Sequence, residues 1–104
     1  MRIIWADEAI NSVDQTADYI EDNFGTRRSI RFYEDIQSQA DSLLIFPNRG
    51  RILEELKGGK YEYRGLTINK LSILIYRIDG ELIRILYLWN TRRNPDMLKK
   101  MFTE

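Results

Sequence analysis

Residues 71–90, LSILIYRIDGELIRILYLWN, limit the fold more than any other stretch. Two long apolar runs flank Asp79-Gly80, and Asp-Gly between such runs is a strong short-range signal for a β-hairpin. The spacing predicts strands over 71–78 and 81–90. In the second strand the two-residue period puts Ile83, Ile85, Tyr87 and Trp89 on one face, and Leu82, Arg84, Leu86 and Leu88 on the other. Both faces are largely apolar. A strand of that kind needs cover on both sides, so it belongs inside a sheet with helices packed over one face.

The first half of the chain supplies those helices. Residues 2–6, RIIWA, read as a short strand, with β-branched and aromatic residues in an extended run. Asp7 fits an N-cap, and Glu8 in the first turn suits the helix dipole. Ile10, Val13, Ala17, Ile20 and Phe24 then recur at steps of three and four, one apolar stripe on a helix that Gly25 ends. Thr26 opens a second helix with Ile30, Phe32, Tyr33, Ile36, Ala40, Leu43 and Leu44 at helical spacing, stopped by Pro47 and Gly50. The short link makes the two helices an antiparallel hairpin. Beyond them, residues 60–68 read as a strand following a Gly-rich loop. Asn94 as N-cap and Pro95 at the first helical position open a short helix over 96–102. The expected order is β-α-α-β-β-β-α, an α+β domain. A helical hairpin packs on a mostly antiparallel sheet of about four strands, and one domain spans residues 1–104.

Composition removes several chemistries. The chain has neither cysteine nor histidine. Disulfides, thiolate nucleophiles, His-based general bases and ordinary zinc sites are therefore excluded, and neither cofactor nor metal is expected. No apolar run approaches the roughly 20 residues of a membrane helix, and the N-terminus does not read as a signal peptide, so a cytoplasmic protein without a membrane partner is expected. The net charge is zero but unevenly placed. Residues 1–50 carry five arginines against nine carboxylates, a net of −4, and residues 51–104 carry +4. That pattern predicts an acidic and a basic face.

The segments IIWADEAINSV, TADYIEDNF, FYEDI, FPNRGR, KYEYRGLTINK, ILIYRIDGELIRIL and LWNTRRNP, in this order and spacing, resemble the RelE/ParE superfamily of bacterial toxins nearly end to end. The resemblance implies the same element order. It also implies the toxin half of a type II toxin–antitoxin pair, silenced by a small cognate antitoxin. RelE-like members cut mRNA on the ribosome, whereas ParE-like members poison DNA gyrase. The family ribonucleases commonly carry a basic residue where the pattern R-L-V-Y aligns with Ile73, Leu74, Ile75 and Tyr76. An apolar Ile73 cannot stabilise the charge that develops on a phosphate in the transition state. Neutral composition and Ile73 together favour the ParE-like reading, with gyrase as target. The alternatives are a ribosome-dependent endoribonuclease, or a degenerate member that binds only its antitoxin.

The candidate site residues follow. Arg64 matches a position the family keeps basic; it either faces the target or antitoxin or forms a structural ion pair. Adjacent Arg92 and Arg93 are expected to point to opposite sides, one packed at home and one reaching outward. Tyr61 shares a face with Tyr63 and either stacks on a partner or covers the sheet edge. Lys60 completes the binding set. A nuclease would draw on Arg64, Arg92, Tyr87 and Lys60, with Lys57 and Glu62 as further acid–base candidates. Trp89 and Trp5 are expected in the core. Lys57-Gly58-Gly59-Lys60 reads as a loop, because it opens no helix as a phosphate loop must.

Overall fold

The hairpin at the centre of the sequence forms the middle of a five-stranded mixed sheet in the computed structural model, which describes residues 1–102. β4 (Ser72–Asp79) and β5 (Leu82–Asn90) pair antiparallel. Asp79 ends β4, so the loop is Gly80-Glu81, one residue later than expected. Only Gly80, at φ +58°, takes a positive φ, as a Gly-X loop requires. β3 (Arg64–Asn69) adds antiparallel to β4, and the two-residue β2 (Arg51–Ile52) adds to β3. β1 (Arg2–Trp5) lies parallel to β5, giving the order β1-β5-β4-β3-β2. β2 was not foreseen, because two residues cannot display an alternating pattern. β3 starts at Arg64 rather than at residue 60, and Tyr61 and Tyr63 precede it.

Helices α1 (Asp7–Phe24) and α2 (Thr26–Ser42) cover one face as an antiparallel pair. Gly25 sits between them at φ +96°, a conformation that strains any residue with a Cβ. The caps fall one residue earlier than expected. Ala6 precedes α1 and accepts from the Ala9 and Ile10 N–H groups, while Asp7 and Glu8 occupy the first turn. Gly25, not Thr26, precedes α2.

The buried stripe of α1 is also rotated from the expected one. Ala9, Ser12, Val13 and Ala17 face the sheet, while Ile10 and Phe24 are exposed. Small residues bring the helix close to β5. The Ser12 hydroxyl donates to the Ala9 carbonyl at 2.9 Å and accepts from the Leu88 N–H at 2.9 Å. β1 pairs with β5 only as far as Ile85, so Ser12 satisfies a backbone donor beyond the end of that ladder.

A bulge in β5 changes which side chains share a face. The pairing steps from Ile75↔Tyr87 to Tyr76↔Ile85, leaving Leu86 as an extra residue. Ile83, Ile85 and Leu88 therefore join the helix-side core with Phe32, Ile36, Leu43, Leu74 and Tyr76. Leu86, Tyr87 and Trp89 turn to the opposite face. There Leu53, Leu56, Tyr63, Ile75, Trp89 and Leu98 form a second, smaller core. One turn of 3-10 helix at Glu54–Leu56 and helix α3 (Pro95–Met101) cap this core. Asn94 caps α3 as expected, its side chain accepting from the Asp96 N–H at 2.9 Å, with Pro95 at the first position. Leu98 is buried and the Phe102 ring packs 5.0 Å from that of Tyr63. No helix of the described residues is long and apolar enough to cross a membrane.

Candidate functional site

Arg64 and Tyr61 line one small cavity with Glu62 and Arg77, and the sheet separates the other candidates. Arg64 opens β3 opposite Tyr76 and shares its helix-side face. Its guanidinium Nη1 donates to the carbonyls of Gly50 at 2.8 Å and Asn48 at 3.3 Å, and Nη2 lies 3.6 Å from a Glu62 carboxylate oxygen. With 17% of its side chain exposed, Arg64 directs its Nη1 donors at the loop that enters β2. Tyr76 completes that junction. Its hydroxyl donates to the Pro47 carbonyl at 2.6 Å and accepts from the Gly50 N–H at 2.9 Å. A Cβ at position 50 would lie 2.6 Å from the Tyr76 ring, so the approach requires glycine. Burial raises the Tyr76 phenol pKa above its ordinary value, even with the Gly50 hydrogen bond and the Arg64 charge acting the other way.

Tyr87 and Arg93 stand on the opposite face. The Arg93 guanidinium lies over the Trp89 ring, 4.7 Å from its centroid, and donates to the Tyr87 hydroxyl at 3.1 Å. Trp89 itself is buried, so its indole is already covered and is no open stacking platform. Further along this face the Arg77 guanidinium sits 3.7 Å from the Tyr61 ring centroid, and Lys60 Nζ lies 5.3 Å from it. Tyr61 and Tyr63 meet edge to face at 6.3 Å. Asp79 accepts from Arg77 at 3.0 Å and Arg84 at 2.8 Å, which neutralises part of the charge there. Lys57 pairs with Glu54 at 3.1 Å.

Arg92 belongs to neither group. Residues 91–94 form a turn, not an extended segment, yet the two arginines still part. Arg93 packs on Trp89, and Arg92 lies at a groove on the helix side. Arg64 aligns with Tyr76 and Arg92 lies beyond Asn90, which pairs with Ser72. The four residue steps from Ser72 to Tyr76 span roughly 13 Å at 3.3 Å each. The set Arg64, Arg92, Tyr87 and Lys60 is therefore spread over both faces and the length of the sheet. Ile73, in the position where the related nucleases are basic, packs against the second core.

The groove beside Arg92 is the part of the surface that the sequence pattern concealed. It encloses about 500 Å³ between α1 and the β3–β4 turn. Ile20, Phe32 and Leu88 line its depth; Tyr19, Phe24 and Leu71 form its lips and are 62%, 55% and 42% exposed. Phe24 reads from spacing as a core residue, and only the rotation of α1 reveals it as surface. Exposed aromatic and aliphatic side chains gathered around one concavity are the usual mark of a binding site.

Comparison with known proteins agrees with the fold. The family model described as the ParE toxin of type II toxin–antitoxin systems, parDE, matches residues 3–95. A solved structure of a chromosomal ParDE toxin–antitoxin system from P. aeruginosa superposes with a TM-score of 0.72 at 23% identity. The match covers 86% of this chain and 95% of that one. None of the curated protein sequences matches.

Proposed function

Because the chain belongs to the ParE toxins of type II toxin–antitoxin systems, we propose that it acts by inhibiting DNA gyrase, without chemistry of its own, and that a cognate antitoxin silences it. The observation that carries this reading is the dispersal of the candidate catalytic groups. Cutting a phosphodiester through its 2′-hydroxyl requires a base, an acid and cations converging on one phosphate. Here Arg64 is bound to the Gly50 carbonyl, Tyr87 is held by Arg93 on the other face, and Arg92 lies at a third place. A stoichiometric inhibitor needs surfaces rather than a convergent site, and the chain offers an apolar groove on one face and an arginine–aromatic cluster on the other.

The test is induction in cells. Gyrase inhibition should bring filamentation and a DNA-damage response while bulk translation continues at first. Prompt arrest of translation, with mRNA cleaved at ribosomal positions, would favour a RelE-type ribonuclease instead. Growth without either outcome would mark the chain as a non-toxic antitoxin binder.

A further inference from the structure

The turn between α2 and β2 displays the two most exposed large apolar side chains among the described residues. Ile45 is 74% exposed and Phe46 63%. Their backbone is fixed from both sides. The Ile45 and Phe46 N–H groups donate to the Ser42 carbonyl at 3.2 and 3.0 Å, and the Arg49 N–H donates to the Phe46 carbonyl at 3.0 Å. From the sheet, the Tyr76 hydroxyl and the Arg64 guanidinium anchor Pro47, Asn48 and Gly50. A turn already held in place has little freedom left to lose on binding, which favours association. Residues 43–50 contain no carboxylate, and their one cation is Arg49. Its guanidinium donates to Ser42 Oγ at 2.8 Å and enters no ion pair among the described residues. Between Ile45, Phe46 and Arg49 the turn leaves a shallow hollow of about 470 Å³.

We propose that this turn is a contact with the target enzyme: an apolar side chain of gyrase enters the hollow against Ile45 and Phe46, and a gyrase carboxylate pairs with Arg49. This rests on the gyrase reading above. The charge of the turn selects a protein surface. One arginine falls short of the several cations that DNA or an anionic membrane calls for, and Asp41, one turn before Ile45, repels both. A second copy docked through the same turn about a twofold axis would bring the two Arg49 charges together. The turn is also remote from the groove beside Arg92. The groove touches α2 at Phe32, and Ser42 lies about 15 Å further along that helix at 1.5 Å per residue. Contacts made in the groove therefore do not account for the exposed pair.

The experiment titrates the full chain into purified gyrase and reads supercoiling. Affinity for the small protein that protects cells on co-expression is measured in parallel by calorimetry. Phe46→Ser should raise the half-inhibitory concentration about tenfold or more, as loss of an apolar anchor does. Arg49→Glu should do the same, as reversal of a close charge pair does. Affinity for the protecting protein should stay within about twofold, the ordinary scale of an exposed change. Thermal melts check that each variant folds. Folded variants that inhibit as the wild type does overturn the assignment of the turn and leave the gyrase reading intact. If the wild-type chain leaves supercoiling untouched at a large molar excess, the gyrase reading falls and the proposal with it, and that is known before any variant is made. Loss of affinity for the protecting protein would make the turn an antitoxin contact. Binding of the wild-type chain to linear DNA or anionic vesicles that Phe46→Ser abolishes would assign the turn to those surfaces. Either result overturns the proposal.

Discussion

The Tyr76 hydroxyl lies between the Pro47 carbonyl and the Gly50 N–H, and its ring fills the space a side chain at position 50 would need. Tyr76→Phe keeps the ring but leaves both backbone groups without that partner. The expected loss is about 1–3 kcal/mol, the penalty for an unsatisfied buried polar group, read from urea midpoints at unchanged m-value. A second tyrosine carries a pH signature. The Tyr33 hydroxyl donates to the Asp14 carboxylate at 2.7 Å, and this hydrogen bond, with burial and the neighbouring acids, raises its pKa from 10.0 to about 12. The folded chain then holds this proton to higher pH than the unfolded chain. The contribution is complete below pH 10.0 and is lost as pH rises through about 12. Urea midpoints over that window should fall less steeply in Tyr33→Phe. The pair is exposed, so added salt should shrink the difference.

At the scale of elements, what could be read from the sequence depended on how local its cause is. The β4–β5 hairpin, both long helices, the Gly25 break and the Asn94-Pro95 helix start are all encoded in neighbouring residues, and they appear within a residue of where the spacing puts them. The failures come from contacts between elements. The rotation of α1 is set by small residues at positions 9, 12 and 17 approaching β5, with Ser12 bound to Leu88. A search for large apolar residues passes over that signal. The bulge at Leu86 redirects Tyr87 and Trp89, and nothing in the alternating sequence announces it. The same two effects explain why the groove was hidden, whereas Arg92 and Arg93 part although residues 91–94 turn and do not extend. Helix α3 gives a prediction at this scale. Asn94→Ala removes its only described side-chain cap, which should cost about 0.5–2 kcal/mol. Hydrogen exchange should speed up in α3, with the strands unaffected; protection unchanged in α3 would show that Leu98 and Phe102 alone hold it.

Across the whole molecule, the unequal charge of the two halves becomes a spatial division. The acidic residues of α1 and α2 lie on the helical layer, and the second half contributes four of the five strands and most of the sheet's arginines. The sheet stands between two apolar cores of unequal size, and the surfaces on its two sides differ in kind. One offers an apolar groove with a cationic rim, and the other offers arginines already stacked on aromatic rings. The proposed function asks for two binding faces, and the two faces here differ in chemistry. The most direct test of that account is gyrase supercoiling measured with purified chain. Supercoiling should fall as the chain is added and recover when an equimolar amount of antitoxin is supplied. Full supercoiling at a large molar excess of folded chain would contradict it.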